Sequence, residues 1–186
     1  MSEMNEIIFI FLDQLLKNNL VLISFTAVLL IIVETPKLRS AFKEGTIITG
    51  AMGFAAISAW ILSYYLNSIN FVFPAVYFLN SLISIKIIKS YGLLQGEWIS
   101  GLKREIIALA GLLAFQFNLI DNIAYNYQDL IIITASLVGF YLIFIIVAAI
   151  KEQLDLKENK KIFKKEYTLF LVLAFLAALI SGFDFI

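Results

Sequence analysis

The sequence has no cysteine, no histidine and only two prolines in 186 residues. Without thiolates or imidazoles it offers no disulfide, no covalent haem attachment, no iron–sulfur ligand and no thiolate or imidazole metal site. Any metal bound here would be a hard cation held by oxygen. Charge is scarce too: 15% of the residues are charged against 61% hydrophobic, with a mean hydropathy of +0.93 and a formal net charge of zero. Soluble domains carry roughly a quarter charged residues, so the composition argues against a soluble enzyme and for a polytopic membrane protein. The length holds about six spans of ~20 residues with short connections and no sizeable soluble domain. Basic residues are also missing before the first apolar run, Met1 to Glu6. That is not the pattern of a cleavable leader, so the first segment is expected to be retained.

What is present divides into six apolar segments. The first runs from near Ile7 to the polar turn Glu34-Thr35-Pro36-Lys37, where proline would stop a helix. The second, Thr46 to Leu66, carries Gly50, Gly53, Ala55, Ala56, Ser58 and Ala59 at spacings that admit a close helix neighbour, and it is expected at the bundle centre. Trp60, Tyr64 and Tyr65 near its end suit the headgroup level. The third spans Phe71 to about Ile88, and Gly92 to Arg104 forms a short polar connection. The fourth starts near Glu105. The fifth, Leu130 to Ile150, has Ala135, Ser136 and Gly139 where the second has its small residues. Lys151 to Glu166 is a charged loop before the last span, Tyr167 to Ile186. The expected fold is an all-α membrane protein, a single domain over 1–186, built as two inverted three-helix repeats of about 1–93 and 94–186.

Two polar clusters interrupt the oily segments. Asp13, Gln14, Lys17, Asn18 and Asn19 fall within the first, where each central charge costs ~2.5–3.5 kcal/mol in lipid. The pattern returns as F-Q-F-N-L-I-D-N, Phe115 to Asn122. Helices 1 and 4 are therefore expected to be interrupted and to face one another, as in inverted-repeat transporters whose site lies where two breaks meet. The central polar cluster, and the candidate ion path, comprises Asn18, Asn19, Gln116, Asn118, Asp121 and Asn122. The alternative carries equal weight for Asn18, Asn19, Gln116 and Asn118: amides in spans also serve as interhelical hydrogen bonds and nothing more. Asp13 and Lys17, four residues apart, read as an ion pair, Asp121 as interfacial in the plainer reading, and Asp129 and Asp184 as solvent-facing ends. No catalytic residue and no metal site is assigned.

Lysine and arginine set the orientation. Every one of the 14 basic residues except Lys17 falls in the first, third or fifth connection or at its edges. With six spans these connections share one face, which the positive-inside rule makes cytoplasmic, leaving the N- and C-termini outside. The basic loops are read as topology determinants, without a nucleic-acid partner.

Lys17-Asn18-Asn19-Leu20-Val21-Leu22, Thr35-Pro36-Lys37-Leu38 with Ala41, and above all Gly139-Phe140 through Ala149-Ile150-Lys151-Glu152-Gln153-Leu154-Asp155-Leu156 resemble the integral-membrane subunits of the Rnf and Nqr redox-driven ion pumps. The similarity extends over nearly the whole chain and favours the Rnf A and Nqr E type, whose termini lie outside. It implies an inner-membrane subunit of an ion-translocating NADH or ferredoxin oxidoreductase, a translocase component without catalysis of its own. The partners it implies are lipid, a homologous six-helix subunit paired antiparallel, and further subunits of the complex. In that family each paired subunit supplies one cysteine from its first helix and one from its fourth to a shared binuclear iron–sulfur cluster. The matching positions here are Leu29 and Leu119, which cannot ligate iron, and the family's acidic residue in the third helix is replaced at about Ser84 or Ile85. The resemblance thus implies no cofactor on this chain, with flavin and iron–sulfur groups in partner subunits. Two other functions remain open: a small solute-binding membrane component, like the substrate-capturing subunit of an energy-coupling-factor transporter, and a structural assembly subunit.

Overall fold

Long runs free of internal proline build five helices in the computed structural model, which describes residues 3–16, 31, 38–66, 72–99, 102–121, 127–156 and 174. They are α1 (Glu3–Leu16), α2 (Leu38–Leu66), α3 (Phe73–Ser90), α4 (Arg104–Asp121) and α5 (Tyr127–Leu156). Between α3 and α4 two short antiparallel strands, β1 (Glu97–Ile99) and β2 (Leu102–Lys103), form a hairpin. The 29 residues of α2 and 30 of α5 correspond to about 45 Å at ~1.5 Å per residue. These two helices are long and apolar enough to cross a membrane. Pro74 sits in the first turn of α3, where its missing N–H is no loss.

Named contacts fix the helix directions. Leu38 of α2 meets Glu152 of α5, Gly45 faces Phe144, Gly53 faces Leu137 and Trp60 meets Asp129, so the two long helices run antiparallel along their length. Ser84 of α3 reaches Ala51 and Tyr77 reaches Ser63, making α3 antiparallel to α2. Lys89 pairs with Glu105, and Ser81 with Gln116, making α4 antiparallel to α3. Glu6 meets Gln128 and Gln14 meets Ser136, so α1 runs parallel to α5. Successive helices α1 to α5 therefore alternate in direction.

This arrangement gathers the described basic residues, Arg39, Lys43, Lys86, Lys89, Lys103, Arg104 and Lys151, at one end of the bundle, hereafter the basic end. Toward that end the fully buried side chains are apolar, among them Ile48, Met52, Ile88, Leu112, Phe144 and Val147, while single polar atoms of Thr49 and Arg104 are also buried. On the outside, large apolar side chains such as Phe54, Ile57, Leu79, Ile83, Leu142 and Ile146 stand exposed on α2, α3 and α5. Exposed apolar side chains on neighbouring helices are the kind of surface that lipid or another protein covers.

Several boundaries differ from the sequence reading. The second helix already includes Leu38, eight residues before Thr46. A contact from far away in sequence supports this end: N–H groups of a first turn lack partners within the helix, the first turn of α2 has no acidic residue, and Glu152 Oε2 of α5 accepts from Leu38 N at 2.8 Å. On the other side of that contact α5 is helical through Leu156, into what the sequence suggested was loop. The connection expected to be polar from Gly92 to Arg104 instead sends Leu94, almost completely buried, into the core. Its φ of 61° is strained for a side-chain-bearing residue, and Gly92 (82°) and Gly96 (84°) take the flanking positive angles. The left-handed geometry costs leucine ~1–2 kcal/mol, which burial of its side chain at ~1.5–3 kcal/mol offsets. The fourth helix is continuous through Asp121, so the break expected between Asn118 and Asn122 is absent as far as Asp121. No break is needed, because the Gln116 and Asn118 amides bond to the carbonyls of Leu112 and Ala114 one turn back in an intact helix. The sixth span and most of the second half of the first lie outside the described residues.

Candidate functional site

Every buried polar residue among those described lies near the middle of the bundle or toward the end opposite the basic one: Ser63, Asn80, Ser81, Ser84, Gln116, Asp129 and Ser136. Helical spacing accounts for most of them. On α3, Tyr77, Asn80, Ser81, Ser84, Ile85 and Ile88 are its buried positions, a stripe recurring every three or four residues and therefore on one face. The stripe turns from polar to aliphatic after Ser84.

Gln116 is the centre of this seam. It is fully buried, and the two hydrogens of its Nε2 are shared among three acceptors, Ser81 Oγ at 2.6 Å, Tyr77 O at 3.3 Å and Leu112 O at 3.3 Å. The two main-chain carbonyls fix which end of the amide is nitrogen, since an oxygen placed there would face them. Ser84 Oγ donates to Ala51 O of α2 at 2.9 Å, and Ser63 Oγ shares a hydrogen bond with Tyr77 Oη at 3.3 Å. The Tyr77 ring stacks on Phe73 and meets Phe117 edge to face. Two atoms of the seam find no partner: Asn80 Nδ2 and Gln116 Oε1.

The remaining sequence candidates fall elsewhere. Asn118 is half-buried and bonds within its own helix. Asp121 is the last residue of α4. Asn18, Asn19 and Asn122, with Lys17, Leu29 and Asp184, lie outside the described residues, so the meeting of two clusters and the Asp13–Lys17 pair do too. From the first cluster, Gln14 Nε2 donates to Ser136 Oγ of α5 at 3.2 Å. Leu119 is fully buried in the core cluster that also holds Phe115 and Ile31. Among the described residues no cluster of three or more acidic side chains able to hold a metal ion occurs.

Asp129 corrects the sequence reading. Expected at a solvent-facing end, it is 1% exposed, and its Oδ2 accepts from Trp60 Nε1 at 3.1 Å. An acidic residue in the first turn of a helix is favoured by the unpaired N–H groups there, and burial against α2 turns that ordinary position into a tie between helices. Trp60, expected as an interfacial ring, is its partner, while Tyr64 and Tyr65 are exposed. Gly50 is the other correction. A Cβ there would meet nothing within 4 Å, whereas one at Gly53 would come within 3.1 Å of Leu137 and one at Gly45 within 3.0 Å of Phe144. Gly45, not Gly50, is the second close approach. Gly50 instead faces outward between two grooves of about 610 and 580 Å³, lined on one side by Ile47, Phe54, Ile87 and Tyr91 and on the other by Ile57, Leu137, Val138 and Tyr141.

The α3 stripe is the feature that sequence reasoning missed. Its signal was present in Tyr77, Asn80, Ser81 and Ser84, polar residues at helical spacing within an apolar run. No family model matches the chain, and no curated protein matches it.

Proposed function

We propose that the chain is a multi-pass membrane subunit of a redox-driven, ion-translocating complex of the Rnf/Nqr type, holding no redox centre itself. In this reading the basic end is cytoplasmic, both termini are outside, and the helices belong to a six-span pair of inverted repeats. The observation that carries it is the buried seam around Gln116 in a bundle whose outer surface is apolar. Amides and hydroxyls in such an interior are expensive unless they serve packing or passage. The seam's uneven depth, polar outward and dry toward the basic end, suits an element that admits a polar species part of the way. The sequence resemblance supplies the kind of complex, and Leu119 among the core hydrophobics suits a member without the cluster. Pairing with a homologous subunit is supported by the outward apolar face of α2, where Gly50 sits between two grooves.

The test is purification of the tagged chain from its native membranes in mild detergent. Flavin- and iron–sulfur-bearing subunits in stoichiometric amounts are expected. A pair of ATPases in their place would refute the redox reading and make the chain the solute-binding component of a transporter.

A further inference from the structure

The unpartnered atoms of the seam are complementary. Asn80 Nδ2 is a donor and Gln116 Oε1 an acceptor, on residues 5% and 0% exposed. The Gln116 amide bonds to Ser81 Oγ and Tyr77 O, which puts it beside the turn of α3 that carries Asn80. Ser81 accepts from Gln116, so its own hydroxyl hydrogen remains to be donated. One turn of a buried helix interface thus presents a vacant acceptor, a vacant donor and a hydroxyl. A buried amide with no partner costs ~1–3 kcal/mol, and two in one turn call for an occupant that both donates and accepts. An apolar occupant meets neither need, and a bare cation meets the oxygen while opposing the N–H. We infer that this seam binds water, accepting from Asn80 Nδ2 and donating to Gln116 Oε1.

Water is the smallest molecule with both functions, and two to four polar partners are what a buried water requires. The fold also gives this hydration a direction. Ser63, Tyr77 and Asp129 continue the polar groups toward the end opposite the basic one, while beyond Ser84 the same face of α3 continues as Ile85 and Ile88. The water-holding part is a blind half-path, open in chemistry toward one end and closed at mid-bundle. It stands on these contacts alone, whether or not the chain belongs to a redox complex.

X-ray radiolytic footprinting of the purified, intact chain tests it, because hydroxyl radicals formed from a bound water label the nearest reactive ring whatever its bulk exposure. Tyr77, 3% exposed, is the reporter, and Phe140 and Phe144, 0% exposed in the apolar core, are the controls, each rate being divided by the intrinsic reactivity of its ring. Labelling of Tyr77 above both controls is expected, with loss of that excess in Asn80→Leu/Gln116→Leu. Tyr77 labelled no faster than Phe140 and Phe144 in the unaltered chain would overturn the inference. That outcome covers the case in which the two amides turn to bond each other directly, and it needs no variant to fold.

Discussion

Glu152 is the contact through which a distant part of the chain supports the first turn of α2, and its removal has a calculable effect. The carboxylate accepts from Leu38 N at 2.8 Å and supplies to α2 what a capping residue would. Loss of a side-chain cap costs ~0.5–2 kcal/mol, and loss of a negative charge beside a helix N-terminus ~0.3–1 kcal/mol. The two overlap, so Glu152→Ala is expected to cost about 1–2 kcal/mol and Glu152→Gln, which keeps an acceptor, less than half of that. The cost falls on the first turn of α2. Exchange of the Leu38 amide, and of the first amides bonded within the helix, Phe42 to Glu44, should therefore quicken by about 5- to 30-fold in the alanine variant, with the far end of α2 near Trp60 unchanged. The exposed Lys89–Glu105 pair at 2.7 Å, whose side chains are 43% and 39% exposed, is the control. Breaking it with Lys89→Ala should cost ~0–1 kcal/mol after solvent screening. Exchange at Leu38 and at Phe42 to Glu44 unaltered in Glu152→Ala would refute the cap.

Three further outcomes follow from packing. In denaturant unfolding, Gly45→Ala should destabilise by about 1–3 kcal/mol because the new methyl meets the stiff rings of Phe144 and Tyr141; Gly53→Ala should cost less because Leu137 can turn. Gly50→Ala should be neutral or gain up to ~1 kcal/mol from helix propensity, whereas Gly50→Leu should release a paired subunit in size-exclusion chromatography without changing the stability of the isolated chain. Leu94→Gly relieves the left-handed backbone but empties a core position, so a net loss of about 1–2 kcal/mol in thermal unfolding is expected.

The parts of the fold legible in the sequence are those set by local pattern. The apolar runs of α2 and α5, the small residues at Gly53 and Ser136, and the segregation of lysine and arginine all come from short-range spacing. What was not legible depends on partners far apart in the chain. Leu38 N bonds to Glu152, Asp129 bonds to Trp60, and Leu94 is buried in a core cluster made by residues of several helices. The candidate site was half legible. Gln116 stood out as an amide in an apolar segment, but the groups that receive it, Ser81 and Tyr77, belong to a helix whose polar residues are too dispersed to form a visible cluster. Clustered polar residues stand out in an apolar run, whereas a polar stripe on an unbroken helix is diluted by the apolar residues between its members.

Ion uptake driven by the electron donor, in membrane vesicles from cells whose only copy of the chain carries Gln116→Leu, tests the central claim most directly. The substitution leaves Ser81 without its amide donor and removes the acceptor for water, while interhelical hydrogen bonds in membranes average only ~0.6 kcal/mol, so the chain should still assemble. The account predicts an assembled complex that transfers electrons with ion uptake lost or strongly reduced, and with uptake normal in the control Ile146→Leu on the exposed face of α5. Undiminished uptake in an assembled Gln116→Leu complex would contradict it.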